Sequence, residues 1–401
     1  MAVVQPFKAW RPKPESAKSI ISVPYDVINT AEARTLSENK PNSFLHVIRP
    51  EIDLPKDTDI HSDAVYQKGK GNLEKLLNSN DFIQENSDSL YLYRLNWQGR
   101  FQSGIFGCVS VNEYDNETIL KHELTRPDKE DDRTKHILTQ QAHAEPVMIT
   151  YDDTVGIAEM MDQVATSTPI YQVTTDEVEH IIWKIDETSR FDEAFSKIQH
   201  LYIADGHHRC ASASRAAAKM KEGNPHHTGL EEYNFFPAVI FPMQQMDILS
   251  YNRIVYSIPD NFIEVLRENF TVTDNADAIP QKKRDVSFYL DNNWYSITLP
   301  DSTKEDIASS LDVALLQEHL LEPLLGISDQ RTDKNLSFVG GIRGVKELER
   351  LVDDGQADMA ISMHPTNIKE LMDVSDAGLL MPPKSTWFEP KLQSGFLVHT
   401  F

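Results

Sequence analysis

The 401-residue chain has only two cysteines, Cys108 and Cys210, far apart and without a CxxC spacing. That excludes a disulfide framework and a cysteine-built metal centre, and it makes the cytoplasm the expected compartment. Long apolar runs are missing: none approaches the roughly 20 residues needed to cross a bilayer. Met1–Phe7 has no basic stretch leading into an apolar one, so no signal peptide is expected. Positive charge is scarce. Against 62 Asp and Glu there are 39 Lys and Arg, a formal net charge of −23. Such a surface repels nucleic acid and anionic lipid, so neither is an expected partner. Internal repeats and low-complexity tracts are absent too. A hydrophobic share of 40% and a charged share of 25% describe an ordinary folded protein, and a chain this long is expected to form more than one unit.

The pattern mixes strands and helices without strict alternation, which predicts an α+β fold. Strands are expected at 44–48, 90–95, 101–111, 146–151, 171–173, 180–185, 201–204, 236–241 and 359–363. Helices are expected at 31–39, 64–77, 191–200, 210–220, 260–270, 313–325, 345–353 and 366–375, the last capped by Thr366. Hairpins are expected across Trp97–Arg100 and across Asp291–Asn293. Three regions are expected: 1–151, an α+β region with a hairpin and a charged segment; 152–255, a core; and 256–401, a C-terminal α+β region. The break is placed near Asp152–Pro169.

The chemistry concentrates in Asp205-Gly206-His207-His208-Arg209. A short apolar strand, Leu201–Ala204, runs into an Asp-Gly turn and then a helix. Such a turn gathers unpaired backbone N–H groups at the positive end of a helix dipole. Gly206 lets the backbone approach a ligand closely. His207, His208 and Arg209 add donors, and a guanidinium grips phosphate oxygens in two-pronged fashion. Asp205 suits a Mg²⁺ ion or the orientation of a histidine. Two rival readings stay open: Asp205 as a plain helix cap, or Asp205, His207 and His208 as ligands of a hydrolytic metal.

A second polar cluster runs from Ile119 to His136. Glu123 and Glu130 are candidate proton acceptors, and Lys129 and Arg133 share a helical face at i, i+4. The rival reading is a solvated charged helix. His122-Glu123 is no zinc-protease motif, because position 126 is Arg. Gly340–Gly344 fits neither phosphate-loop spacing and reads as a turn. Cys210 reads as a small core residue.

Tyr202–Arg209 resembles the signature of a large bacterial family known as DUF1015. The resemblance runs on through Pro6-Phe7-Lys8, Pro24-Tyr25-Asp26-Val27, His122–Thr125 with Lys129–Arg133, Tyr251-Asn252-Arg253 and Met381–Lys391. At position 252 the family pattern has His where this chain has Asn. The Asp-Gly-His-His-Arg turn is also similar to that of free serine kinases of the ParB/sulfiredoxin-like fold. The resemblance implies a ParB/sulfiredoxin-like nucleotide-binding core with large insertions and a C-terminal extension. It implies a kinase acting on a small hydroxyl substrate, free L-serine, to give O-phospho-L-serine. ATP is the expected donor, with ADP and pyrophosphate as alternatives, and Mg²⁺ the expected ion, held by Asp205. Glu123, Asp205 and His208 are expected to be catalytic. Gly206, His207, His208, Arg209, Lys129 and Arg133 are expected to bind phosphate. Tyr25, Asp26, Thr125, Lys384, Ser385 and Thr386 are expected to bind substrate. The alternatives are a nucleotide-binding switch module and a metal-dependent phosphohydrolase.

Overall fold

The computed structural model describes residues 2–401, and the chain divides into two compact units. One takes in the chain up to Lys121, Thr125–Met246 and Pro390–Phe401; the other takes in His122–Leu124 and Asp247–Glu389. The stretch 152–169, where a break was expected, lies inside the first unit and carries the helix Ile157–Val164.

The first unit is built on a mixed sheet of nine strands among the described residues. From one edge it runs Ile119–Leu120, Leu201–Asp205, Val147–Tyr151, Phe235–Pro242, Arg100–Ser110, Leu90–Trp97, Val178–Ile185 and Tyr171–Thr175. Val4–Gln5 also pairs with Arg100–Ser110. Two neighbouring pairs are parallel, Leu201–Asp205 with Ile119–Leu120 and Phe235–Pro242 with Val147–Tyr151; the rest are antiparallel. Two largely apolar strands, Val147–Tyr151 and Phe235–Pro242, are buried at every residue. Such strands belong in a sheet covered on both faces. Ile149, Ile203 and Ile240 pack with Phe191, Phe195, Cys210, Ala213 and Ala217. The small residues of the helix His207–Glu222 therefore have a packing reason: they let it lie close on the sheet.

Among the described residues, the second unit centres on six antiparallel strands in the order Thr273–Asp274, Asn293–Thr298, Asp285–Leu290, Met359–Met363, Tyr251–Val255, Leu336–Gly340. Val255, Phe288, Ile361 and Met363 pack with Leu315, Leu316 and Leu320 from the helical stretch that begins at Asp312.

Both expected hairpins form. At the first, Gln98 and Gly99 take φ of 51° and 80°; at the second, Asp291 and Asn292 take 50° and 57°. Two successive left-handed residues match the strand twist. Three expectations are corrected. Leu45–Ile48 is a short helix, not a strand. Its β-branched residues read as strand, but Leu45, Val47 and Ile48 are buried with Leu73 and Leu76 of the helix Asp63–Leu77. Burial overrides local propensity here. The cap of Ile368–Asp376 is Asn367, one residue beyond Thr366; its side chain accepts from Glu370 N–H and Glu370 answers to Asn367 N–H. This reciprocal pair satisfies two helix-end donors at once. The helix expected from Cys210 begins at His207, so both histidines and Arg209 belong to its first turn.

Gly104 shows how tightly the first sheet is packed: a Cβ there would stand 2.7 Å from the ring of Phe241. Gly104→Ala is expected to cost about 1–3 kcal/mol through overpacking, read as a lower urea midpoint at unchanged slope.

Candidate active site

The strand Leu201–Asp205 is buried up to its last residue, and its register against Val147–Tyr151 shifts between Ile203 and Asp205. That irregularity ends the pairing just where the chain turns. Gly206 follows at φ 102°, and a Cβ on it would meet Arg209 Nε and Val147 Cγ1, each at 3.0 Å. Only glycine fits both the backbone and the space. The helix His207–Glu222 starts at once, 16 residues long, and no side chain caps it. Its opening N–H groups have no partner within the helix.

Arg209 folds back beneath this turn. Its guanidinium donates to the carbonyl of Pro146, to Asp205 Oδ2 at 3.1 Å and to Asp26 Oδ2 at 3.5 Å. Its Nε is buried and has no hydrogen-bond partner among the described residues. Lys391 Nζ stands 3.7 Å from the other oxygen of Asp205. Burial alone would raise the Asp205 carboxyl. Lys391, then Arg209 and His207, more than offset that and hold it at about 2. Burial would likewise discharge Arg209, but Asp26, Asp205 and Glu145 keep it protonated. Both oxygens of Asp205 thus face cations. A Mg²⁺ ion on Asp205 would have to displace Arg209 or Lys391, so the arrangement does not fit the ion expected there.

His208 joins two helix starts. Its Nε2 accepts the N–H of Arg126 at 3.0 Å, and Arg126 immediately precedes the helix Pro127–Gln140. An imidazole nitrogen that accepts an N–H has committed its lone pair and is not a metal ligand. The bond withdraws the Nε2 atom of His208, one of its two ring nitrogens, from a hydrolytic metal set.

The helix Pro127–Gln140 brings a second buried cation. Arg133 donates twice to its neighbour Asp132, at 2.9 and 2.7 Å. Asp132 also accepts from Tyr66 Oη at 2.9 Å and pairs with His61 Nδ1 at 3.1 Å. Burial opposes ionisation of Asp132, but Arg133 and His136 outweigh it and hold the carboxyl well below its usual range. The Arg133 guanidinium lies 4.2 Å over the ring of Tyr25, a cation–π contact. Glu145 completes the group. One of its oxygens accepts from Tyr25 N–H and from Ser394 Oγ, both at 3.1 Å, and burial raises its carboxyl. A cavity of about 40 Å³ is lined by Arg133, His136, Gln140, His143, Glu145 and Arg209 among others. It has room for a few water molecules but not for a nucleotide.

The first unit therefore brings together Tyr25, Asp26, Arg133, Asp205, Gly206 and Arg209, which come from three distant parts of the chain. Lys129 is exposed on its helix, while Arg133, one turn on, is buried. Glu130 accepts from Thr125 Oγ1 and from Arg215, at 3.0 Å for the latter. Both its oxygens are occupied, one by Thr125 and the other by Arg215 of the helix His207–Glu222, which does not suit a proton acceptor. Cys210 is buried and its thiol is pushed up to about 12, as fits a core residue. The segment 122–124, with Glu123, belongs to the second unit, where the His122 carbonyl accepts from Met381 N–H at 2.8 Å. Lys384, Ser385 and Thr386 also belong to that unit. Reading the sequence missed Glu145, Lys391 and Asp132 as members. Lys391 lay within the Met381–Lys391 pattern, and Asp132 within the charged segment; a lone Glu145 before Pro146 carried no signal.

With this geometry in view, the chain belongs to the family described as a protein of unknown function (DUF1015), whose model matches residues 4–314. No curated protein matches the chain significantly. Among solved structures it is similar to a free serine kinase in complex with AMP, at 12% identity and TM-score 0.38, over 73% of this chain and 91% of that one. It is also similar to a conserved hypothetical protein from Pyrococcus furiosus, at 12% identity and TM-score 0.35, over 73% and 95%. A third is C-terminally truncated SbnI from Staphylococcus aureus, at 13% identity and TM-score 0.38, over 72% and 85%.

Two outcomes follow from the charges. Asp132→Asn leaves Arg133 buried without its carboxylate and is expected to cost about 3–5 kcal/mol, measured by urea unfolding near neutral pH. Asp205 is more acidic folded, at about 2, than in an unfolded chain, at about 3.9. Its contribution to stability is present above about pH 3.9 and is lost as pH falls through about 2. Asp205→Asn lacks that contribution, so between about pH 5 and pH 3 it is expected to lose less stability than the wild type in paired unfolding curves.

Proposed function

We propose that this protein is a kinase that transfers a phosphoryl group from a nucleotide, ATP, to a small hydroxyl substrate, free L-serine. The observation that carries the reading is the Asp205–Arg209 turn. It is an uncapped helix start with a glycine no side chain can replace, and Arg209, Lys391 and Arg133 gather in its unit although the chain bears a net charge of −23. Oriented N–H groups at a helix start suit the phosphates of a nucleotide. We further assign the first unit a ParB/sulfiredoxin-like core.

In the proposed reaction the substrate hydroxyl oxygen attacks the terminal phosphorus. The bond from that phosphorus to the bridging oxygen breaks, and the nucleoside diphosphate leaves. The hydroxyl proton passes to a carboxylate acting as general base. The turn N–H groups, with His207 and Arg209, stabilise phosphate charge, and this electrostatic work dominates such transfers. A magnesium ion, when bound, would neutralise charge on the donor phosphates. Asp205 is assigned to orient Arg209, not to hold that ion.

The test is phosphorus NMR of the purified protein with Mg-ATP and a panel of small hydroxyl compounds. A phosphomonoester signal that depends on L-serine is the expected result. Arg209→Lys is expected to slow its appearance by roughly 100-fold or more. No product with ATP, ADP or pyrophosphate would overturn the kinase reading.

A further inference from the structure

The second unit holds a buried cation with no anion to answer it. Arg253, on the strand Tyr251–Val255, is fully buried. Its guanidinium donates to Gln330 Oε1 from two nitrogens, each at 3.4 Å, to the carbonyl of Tyr251, and to the carbonyl of Lys384 at 3.3 Å. It also lies 5.5 Å from the Phe338 ring centre. All these partners are neutral. Among the described residues no carboxylate lies within ion-pair distance of Arg253, whereas the two buried arginines of the first unit, Arg133 and Arg209, are each held by acids. Burial accordingly lowers the guanidinium to about 10. Burying a charge without a counter-charge is costly, and such sites concentrate where a ligand completes them.

What Arg253 holds is the loop Pro382–Thr386. Lys384, at its exposed apex, has φ of 59°, a conformation that costs a non-glycine residue free energy and is kept only where its surroundings enforce it. Arg253 grips the carbonyl of that same residue. Lys384 Nζ lies 5.3 Å from the centre of the Tyr251 ring, and Trp387 packs edge-on against the same ring at 5.1 Å. Gly340 lets Trp387 sit there, since a Cβ would come within 2.8 Å of the indole. Glu389, the acid next in sequence, accepts from Trp387 Nε1 at 3.0 Å. The loop is thus fixed from below by a positive charge and presents a second one to solvent.

We infer that the Lys384–Thr386 loop is a phosphoryl-binding site in the second unit, with Lys384 as the contacting cation. Arg253 is the positioning residue: it holds the Lys384 backbone and supplies uncompensated positive potential beneath it. The shared ligand chemistry is a compact dianionic phosphoryl group, either free phosphate or the head of a phosphomonoester. This inference does not depend on the kinase reading.

Trp387 serves as a local reporter. The full-length protein is titrated with inorganic phosphate, with methyl phosphate and with acetate while tryptophan fluorescence is followed. A saturable change with either phosphoryl compound but not with acetate is expected, and the tighter of the two identifies the source. The change is expected to vanish in Trp387→Phe, which separates it from any binding at the Asp205–Arg209 turn. Lys384→Gln and Arg253→Gln are each expected to weaken binding about tenfold or more, and Arg253→Lys, which keeps the charge, by no more than about threefold. If Arg253→Gln does not fold, Lys384→Gln decides, because its side chain is exposed. Wild-type affinity in Lys384→Gln, or no response of Trp387 to either phosphoryl compound, overturns the inference.

Discussion

The interaction on which the first unit's site depends is the guanidinium of Arg209, held between the carbonyl of Pro146 and the carboxylates of Asp205 and Asp26. A buried charge is costly unless opposite charge and acceptors answer it. Answering it draws in the strand Val147–Tyr151 through Pro146, the strand Leu201–Asp205 through Asp205, and the N-terminal loop through Asp26. The turn that carries Arg209 is therefore anchored from below before any ligand arrives. Lys391, from the C-terminal stretch, offsets the acid that would otherwise sit unopposed on the side away from Arg209.

The same logic recurs around Arg133. Asp132 fixes it on one side, Tyr25 supplies an aromatic face on another, and Tyr25 is tied through its backbone to Glu145. Arginine suits this duty because its planar fork can pair with a carboxylate and stack on a ring together. Lys129, one turn away and exposed, has the charge without the setting. Positions one turn apart on one helix thus separate by burial into a built-in cation and a surface one. In the second unit, Arg253 shows the opposite arrangement, a buried guanidinium whose acceptors are all neutral.

Much of the fold could be read along the chain. Several buried strands, the two hairpins and the strand–Asp-Gly–helix passage each follow from local pattern, because period, turn chemistry and glycine placement act over a few residues. What misled was equally local: Val47 and Ile48 suggest a strand until the helix Asp63–Leu77 covers them. The candidate site was legible where residues sit together, as in Asp205–Arg209. It was not legible where one residue contributes alone, as with Glu145 and Lys391, since a single charged side chain has no sequence signature of its partner. Gly340 and Gly341 illustrate a further limit. They read along the chain as a plain turn, and the space they leave is taken by Trp387 and the Ser250 carbonyl.

By itself the sequence determined the acidic surface, the α+β pattern, the glycine turn with its cluster of donors, and through five further segments the family. These depend on composition and on neighbours in the chain. Tertiary structure alone decided which charges become partners: that Asp205 faces Arg209 and Lys391 with its two oxygens, that Glu130 accepts from Arg215, and that Arg253 is buried among neutral acceptors. Coulombic and desolvation energies depend on distances through space and on the removal of water, and neither is written in the order of residues.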